Sequence, residues 1–329
     1  MSITSFLLSM EGALSQGVLW SVMTLGVYIT FRLLNFADMT VDGSFATGGA
    51  VSAVFVMMGV NPYLCLLFAM LAGFLCGGVT GFLNTKLKIP AILSGILTMI
   101  ALYSVNIRIM GQPNISLLGV DTIVTKITAF LPGGDQVIAT LLFGLLLAAA
   151  LVALMYWFFG TEIGCAIRAT GNNEYMVRAF GGNTATTTIL ALMLSNGLAS
   201  LSGAMVSQSQ GYADVQMGVG TIVIGLASVI IGEALFRKRT NFAVKLLSVV
   251  IGSVIYRIII ALVLWFGLKS EDLKLLTAVV VAIALSVPAL KDKFSRSSLR
   301  ADTDGNEAAL SETVSEAPDD EIGEGPRHA

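Results

Sequence analysis

Residues 135–159 read DQVIATLLFGLLLAAALVALMYWFF, an apolar run of 25 residues whose only charge is the first one. A helix needs about 20 consecutive apolar residues to cross the hydrocarbon core of a bilayer. This run is long enough, and it lacks the alternation of apolar and polar residues that is typical of barrel strands. It therefore predicts a membrane-spanning helix.

The rest of the chain repeats this pattern. Of its 329 residues 55% are apolar and 12% are charged, and the mean hydropathy is +0.84. So few polar side chains cannot cover a water-soluble protein of this size. The sequence predicts an all-α integral membrane protein, a polytopic helical bundle of about nine transmembrane helices. The predicted spans are residues 12–31, 41–59, 63–83, 90–110, 135–159, 186–207, 219–236, 243–267 and 273–290.

The basic residues predict which way the chain crosses the membrane. Lysine and arginine favour the cytoplasmic side, and with nine spans most of them fall on one side. That group is Arg32, Lys86, Lys88, Arg168, Arg178, Arg237, Lys238, Arg239, Lys245 and the basic stretch 291–300. The opposite side holds Arg108, Lys126, Lys269 and Lys274. We expect the N-terminus outside and the C-terminus in the cytoplasm. No basic residue precedes Arg32, so the first span should be retained rather than cleaved as a signal.

Two domains of unequal character follow from the composition. Residues 1–290 form the transmembrane domain. Residues 291–329 form a cytoplasmic tail, basic up to residue 300 and then carrying nine acidic side chains without apolar periodicity. Such a composition cannot bury an apolar core, and we expect the tail to be disordered.

Several kinds of chemistry are excluded or disfavoured. The only histidine is His328, which rules out a histidine-based triad or zinc site in the transmembrane domain. Cys65, Cys76 and Cys165 lack the spacing of a disulfide or metal framework. We expect no metal site and no catalytic residue in this chain.

A polar interruption, GTEIGCAIRATGNNEYMVRAFGGNTA, occupies residues 160–185 between two predicted spans. It predicts a short helix capped by Asn172 or Asn173 and stopped by the glycine pair 181–182. Met176, Val177 and Phe180 share one face of that helix, and Glu174 and Arg178 form an i,i+4 pair on another. Two turns of helix are marginal without support. The residues alone leave open whether the helix docks against a partner or folds beneath its own spans.

Polar residues within the predicted spans are candidates for the transport path. Asp38 and Asp42 are four residues apart and would share a helix face if that segment is helical. Capping by Thr40 or Asp42 and a headgroup position for Asp38 would also explain these residues. The small residues of 43–53 favour close helix packing, and Asn196 favours a hydrogen bond between helices. The candidate path residues are Asn35, Asp38, Asp42, Ser44, Thr47, Asn196 and Arg257.

Arg257 lies about 22 Å into the eighth span by the helical rise. A cation at this depth needs a partner: Asp214 or Glu271 in a structural ion pair, or the carboxylate of a substrate.

A separate pattern links FADMTV at 36–41 to YADVQM at 212–217. Such traces accompany inverted repeats, but six residues are also compatible with coincidence.

Three ordered stretches give the chain its resemblance to a known family. They are RLLNFADMTVDGSFATGGAV (32–51), IRATGNNEYMVRAFGGNT (167–184) and SNGLASLSGAMV (195–206). The chain resembles the permeases of ABC importers for branched-chain amino acids, ribose and related solutes. That family has a cytoplasmic signature motif, and this chain matches the motif at Arg168, Ala169, Gly171, Asn173, Gly181 and Asn183. The stretch 267–290 resembles a branch linked to aromatic amino-acid uptake.

The resemblance implies a coupling helix, roughly residues 172–180, seated in a groove of an ATPase subunit. The residues implied in that contact are Asn173, Glu174, Tyr175, Met176, Val177, Arg178, Phe180 and Gly181. The implied partners are two ATPase subunits, a second permease (the same chain or a close paralogue), a periplasmic or lipid-anchored solute-binding protein, and membrane lipids, but no nucleic acid. This chain has no G-x-x-x-x-G-K-[ST] loop, so ATP and Mg²⁺ would be bound by the ATPase and this chain would hold no cofactor.

The resulting prediction is the permease subunit of an importer in a bacterial cytoplasmic (inner) membrane. Its cargo would be a small solute, with an aromatic or branched-chain amino acid favoured and a sugar or nucleoside still open. Two other classes compete with it. One is an ion-coupled secondary transporter using Asp38, Asp42 and Arg257. The other is an intramembrane enzyme with Asp38 and Asp42 as a catalytic pair, which nothing else in the chain supports.

Overall fold

The chain folds as a helical bundle with one small sheet. The computed structural model describes residues 3–130, 135–236 and 241–265, together with residues 275, 277–279, 281, 282 and 286. The first half contains α1 (Ile3–Val27), a π-helical continuation of α1 (Tyr28–Leu33), α2 (Thr40–Met57), α3 (Pro62–Thr85), α4 (Ala91–Met110), β1 (Asn114–Ser116), α5 (Ile123–Phe130) and α6 (Gln136–Phe159). The second half contains α7 (Glu162–Asn172), α8 (Glu174–Ala179), α9 (Thr184–Gln210), β2 (Tyr212–Asp214), α10 (Thr221–Leu235) and α11 (Phe242–Trp265).

The prediction of a polytopic helical membrane protein is confirmed. Seven helices of the described residues are long and apolar enough to cross a membrane, and each coincides with a predicted span. The predicted span 219–236 corresponds to α10, which has 15 residues and is about 22 Å long. This length falls short of the hydrocarbon thickness. The ninth predicted span falls mostly, and the 291–329 tail entirely, outside the described residues.

The two ends of the bundle differ in structure. At one end, the α8 end, α7 and α8 join α6 to α9. At the other, the strand end, β1 and β2 pair antiparallel with Ile115 opposite Ala213. Between α4 and α6 the chain forms the strand β1 and the short helix α5. At the α8 end, Arg32 Nε donates to Glu233 Oε1 over 2.8 Å, which ties the end of the π-helical segment to that of α10.

Small residues allow α2, α3 and α9 to pack closely at the centre of the bundle. A Cβ atom on Gly48 of α2 would overlap the Ser200 carbonyl oxygen of α9, and one on Gly73 of α3 would overlap that of Asn196. The Ser200 hydroxyl also donates to the Ala69 carbonyl of α3 over 2.6 Å. Close backbone approach through small residues is a common way for helices to associate in lipid. The predicted packing role of residues 43–53 is confirmed, since nearly all of them are buried.

We predict that Gly48→Ala destabilises the bundle. The added methyl meets backbone atoms of α9, which cannot rotate away, and overpacking of this kind costs about 1–3 kcal/mol. The matched control is Gly12→Ala in α1, where an added Cβ meets nothing within 4 Å. Thermal unfolding of the purified chain in detergent should show a lower midpoint for G48A than for G12A. Equal midpoints would contradict the packing described above.

Candidate functional site: the α7–α8 element and the inner polar junction

The element at residues 162–179, called here the α7–α8 element, is fixed firmly to the bundle. Ile167 of α7 is fully buried. A Cβ atom on Gly171 would overlap the Leu33 carbonyl oxygen, so α7 lies directly against the end of the π-helical segment. The Thr170 and Thr187 hydroxyls are hydrogen-bonded over 2.9 Å, which connects α7 to α9. These contacts leave α7 little freedom to move separately from α9.

Asn173 forms the corner between α7 and α8. Its backbone N–H donates to the Ala169 carbonyl of α7 over 2.9 Å. Its side-chain oxygen accepts from the Met176 N–H over 3.0 Å and caps α8. The helix stops at Gly181, whose φ of +81° few other residues adopt, while the Gly182 N–H donates to the Val177 carbonyl over 2.9 Å. The predicted cap and glycine stop are both confirmed.

Charged side chains tie α8 to the start of α9. The predicted ion pair of Glu174 and Arg178 is present. Arg178 Nε also donates to the Thr184 hydroxyl over 2.8 Å, and that hydroxyl donates to Glu174 over 3.1 Å. Thr184 is the first residue of α9. Glu174, Arg178 and Thr184 are thus joined pairwise in a closed network, which is more rigid than an isolated surface ion pair. We therefore expect α8 and α9 to move together.

The exposed face of α8 differs from the predicted one. Tyr175 is 83% exposed and Phe180 84% exposed, and Met176 is exposed between them. Val177 was expected on the same face, but it is half-buried and packs against Gly182. Arg178 bridges Glu174 and Thr184. The exposed apolar face therefore consists of Tyr175, Met176 and Phe180, and an exposed cluster of this kind is typical of an interaction site.

The helix α7 was not predicted from the sequence. Its signal was present: Thr161 caps the helix, its side chain accepting from the Gly164 N–H, and Glu162 follows in the first turn. Between α6, α7 and α11 lies a surface groove of about 580 Å³. Trp157, Arg168 and Phe242 are among the residues that line it, and the Arg168 guanidinium lies 5.1 Å from the Phe242 ring centroid.

A second group of polar residues, called here the inner polar junction, lies where α2 and α10 begin. Asp38 is 2% exposed and accepts from the Thr40 N–H over 2.9 Å and from Asn196 Nδ2 over 2.7 Å. Asn196 accepts in turn from the Ser44 hydroxyl over 2.7 Å. Asn196 is about 18 Å along α9 from its start. Asp38 therefore lies deep in the bundle and not at headgroup level, and Asn196 makes the predicted bond between helices.

Asp42 receives the start of α10. Its carboxylate accepts from the backbone N–H groups of Gly220 and Ile222, each over 2.9 Å, and from the Thr221 hydroxyl over 2.8 Å. The expectation that Asp38 and Asp42 share a helix face is wrong, because α2 begins at Thr40 and Asp38 precedes it. Asp38 caps the start of α2 and reaches α9, whereas Asp42 caps α10. A carboxylate is favoured at a helix N-terminus by the helix dipole.

The two motifs noted as a possible repeat occupy related places. FADMTV leads into α2, and YADVQM precedes α10, which runs in the opposite direction. Asp38 accepts from the N–H two residues on, at 2.9 Å, and Asp214 does the same with Gln216 at 2.6 Å. Broken helices at corresponding positions of two inverted halves are found in many transporters. The structure thus favours a repeat over coincidence.

The remaining path candidates do not line one open surface. Ser44, Thr47 and Asn196 are buried in the contact between α2 and its neighbours, and Thr47 donates to the Gly43 carbonyl over 2.9 Å. Asn35 is exposed at the α8 end, in a turn with φ of +55°. The structure does not bring these residues to one open surface. Whether any of them contacts a solute stays a prediction.

The Arg257 guanidinium lies 3.9 Å from the ring centroid of Trp20. The predicted partner Asp214 does not pair with it, since Asp214 accepts from Asn114 over 3.2 Å and from the Gln216 N–H. Glu271 lies outside the described residues.

Within the part of the chain that the structure describes, no group of three His, Cys, Asp or Glu side chains could hold a metal ion.

We predict that Asp42→Asn loosens the start of α10. The amide keeps the size of the side chain but loses the charge and one acceptor, and hydrogen bonds to a charged group contribute about 1.5–3 kcal/mol each. Hydrogen exchange at the Gly220 and Ile222 amides should accelerate, and the thermal midpoint should fall. Asp214→Asn, a half-exposed control, should have a smaller effect. Unchanged exchange at both amides in D42N would show that Asp42 does not hold α10.

Comparison with known proteins places the chain in a family. The family model described as the permease component of the branched-chain amino acid transport system matches residues 9–286. The chain is 38% identical over 273 residues to the tyrosine transport system permease protein of Clostridioides difficile strain R20291, covering 83% of this chain and 89% of that protein. It is 29% identical over 193 residues to the inner membrane ABC transporter permease protein YjfF of Escherichia coli K12, covering 57% of each.

Among solved structures the chain is similar to PsaBC from Streptococcus pneumoniae in complex with Fab. The TM-score is 0.50 at 14% identity, with 86% of this chain and 95% of that chain covered, and this likeness shows a shared fold alone. The match to the family model spans most of the chain, and both relatives described above are named as permeases. The chain therefore belongs to the branched-chain amino acid transport permease family and is a multi-pass permease subunit of an ABC transporter for amino-acid-type uptake.

Proposed function

We propose that two permeases, either two copies of this chain or this chain and a close paralogue, form the translocation path of an importer. Two ATPase subunits dock on the α7–α8 element, and they bind the ATP and Mg²⁺. A solute-binding protein delivers cargo at the strand end. In this arrangement the α8 end faces the cytoplasm of a bacterium, the N-terminus lies outside and the C-terminus is cytoplasmic.

The observation that carries this proposal is the exposed apolar face of α8, a helix held rigidly by its contacts with the bundle. Tyr175, Met176 and Phe180 are exposed, while Asn173, the Glu174–Arg178 pair and the contacts of α7 hold the helix in place. Aromatic and methionine side chains are enriched in protein interfaces, and an amphipathic helix fits a groove in its partner. A helix fixed in this way can pass on a displacement, because a packed element moves as a unit.

The route from α8 to the centre of the bundle is short. Thr184 binds α8 and begins α9, which is 27 residues long. Twelve residues further on, Asn196 binds Asp38 at the start of α2, and Asp42 of α2 holds the start of α10. A movement of α8 would therefore reach the starts of both inner helices through hydrogen bonds and packed helices.

The strand end offers a surface for a solute-binding protein. Leu118 follows β1 and is 85% exposed, and Tyr212 of β2 is exposed beside it. The cargo we propose is an amino acid, with an aromatic one favoured because the relative at 38% identity is named a tyrosine transport permease.

In the groove beside α7, Trp157 and Arg168 suit the headgroup level of a membrane.

The ion-coupled carrier has less support. Such a carrier needs carboxylates free to gain and lose an ion, but Asp38 and Asp42 are both engaged as helix caps. The permeases to which the chain is similar also favour an ATP-driven system. We therefore propose no second function.

We predict that Phe180→Asp combined with Met176→Asp abolishes ATPase docking without unfolding the chain. Both side chains are exposed and support no core contact, whereas loss of an interface anchor costs 2 kcal/mol or more, which is about 30-fold in affinity. Co-purification with the cognate ATPase subunit and ATP-driven uptake should be lost together, with the thermal midpoint unchanged.

The matched control is Leu118→Asp, which changes an equally exposed apolar side chain at the strand end. It should leave ATPase co-purification intact. Retention of the ATPase by the double variant, or its loss in both variants, would refute the role assigned to α8.

A further inference from the structure

Four buried polar atoms lack a hydrogen-bond partner where α1 meets α11. They are Gln16 Oε1, Trp20 Nε1, Tyr256 Oη and Arg257 Nε, each unpartnered among the described residues. Trp20 is 7% exposed and Tyr256 1% exposed. Buried polar groups are nearly always hydrogen-bonded in native proteins, so four unpaired atoms in one contact call for an explanation.

Packing contacts bring these residues to the same level of the bundle. A Cβ atom on Gly17 would meet the Val254 Cα at 2.8 Å and the Arg257 Cβ at 3.4 Å. The Ser253 hydroxyl donates to the Gly17 carbonyl over 3.0 Å. Gln16 and Trp20 are one helical turn apart on α1 and so lie on the same face. Trp20 and Arg257 are in contact, Gln16 lies on the Trp20 face of α1, and Tyr256 precedes Arg257 on α11 and packs toward α10. These side chains, which share one level of the bundle, are called here the α1–α11 cluster.

The cluster lies deep along the bundle, and two of its residues are partly exposed. Arg257 is about 22 Å along α11 from its start. The antiparallel contact of Gly232 with Ser248, and of Gly252 with Ser228, places Arg257 beside the first turn of α10. Gln16 and Arg257 as whole residues are only half-buried, so the cluster extends to the surface of the described part of the bundle.

Among the residues that the structure describes, no carboxylate pairs with the Arg257 cation. The contact of the Arg257 guanidinium with the Trp20 ring offsets only part of the cost of an unpaired charge at this depth. The described carboxylates nearest in depth are engaged elsewhere, Asp38 with α2 and α9, and Asp42 with α10. An anion supplied from outside the chain would balance the Arg257 charge.

The unpaired atoms also define which ligand would fit. Trp20, Tyr256 and Arg257 offer N–H or O–H donors, and Gln16 Oε1 offers an acceptor. An α-amino acid zwitterion carries a carboxylate that accepts hydrogen bonds and an ammonium that donates them. We propose that the α1–α11 cluster binds the zwitterionic head of the transported amino acid, with Arg257 and Trp20 on its carboxylate and Gln16 on its ammonium. This inference rests on the proposed import function and assigns its binding residues.

Trp20 can report on this binding directly. In a full-length chain carrying Trp157→Phe and Trp265→Phe, Trp20 is the one remaining tryptophan. With the chain in lipid nanodiscs, Trp20 emission is titrated with L-phenylalanine, L-phenylalaninamide and 3-phenylpropionate. We expect a saturable response to phenylalanine, and responses at least about tenfold weaker in affinity to the amide, which lacks the carboxylate, and to the propionate, which lacks the ammonium.

Substitutions of Arg257 separate recognition from structure. Arg257→Gln should abolish the preference for phenylalanine over its amide, Arg257→Lys should retain part of it, and Arg108→Gln, a change in the last turn of α4, should leave it intact. The proposal is overturned if R257Q keeps the preference. It is also overturned if Trp20 gives no response up to about 10 mM phenylalanine in a chain that supports ATP-driven phenylalanine uptake.

Uptake by the complete transporter distinguishes failure of this site from failure of the proposed function. If the wild-type complex with its ATPase and binding protein takes up no amino acid, the function is wrong. If it does so and R257Q transports equally well, the function stands and the site is wrong. Restored uptake when Arg257→Glu is combined with Glu271→Arg would identify an internal ion pair and would also overturn the site.

Discussion

The structure depends on how two helices begin inside an apolar bundle. The first N–H groups of any helix have no partner within it, and in lipid no water is present to supply one. Asp38 accepts from the first N–H of α2, and Asp42 accepts from two N–H groups at the start of α10. Both carboxylates are therefore occupied by hydrogen bonds that stabilise the starts of helices. They allow short helices and irregular segments at a depth where unsatisfied backbone groups would be costly.

Those inner helix starts connect the two ends of the bundle. α2 runs from the inner polar junction to the strand end, and α10 runs from it to the α8 end. At the junction α2 is joined to the long helix α9 through Ser44 and Asn196, and to α10 through Asp42. α9 continues to α8 through Thr184. The small residues that let α2, α3 and α9 touch make this centre dense. A dense centre moves in steps between packings and does not deform gradually, which is what an ATP-driven gate requires.

Much of this fold could be predicted because its causes are local. For the seven spans that the described residues contain, the apolar runs predicted the bounds to within a few residues. The Asn173 cap, the glycine stop and the Glu174–Arg178 pair follow from short-range helix chemistry. The partners of Asp42 could not be predicted. They lie about 180 residues away in the chain, and they depend on where the start of α10 is placed in the folded bundle. The side on which Val177 packs depends likewise on the turn at Gly182. For Arg257, depth showed that a partner was needed, but only the packing of α1 against α11 revealed Trp20 beside it.

The central claim is that this bundle has no energy source of its own and is driven through α8 by a partner that binds ATP. The most direct test is solute accumulation in sealed vesicles that contain either the purified chain alone or the chain with its cognate ATPase subunits, binding protein and ATP. The account predicts accumulation against a gradient in the complete system and none with the chain alone, under an imposed proton or sodium gradient as well. Accumulation by the chain alone would contradict it.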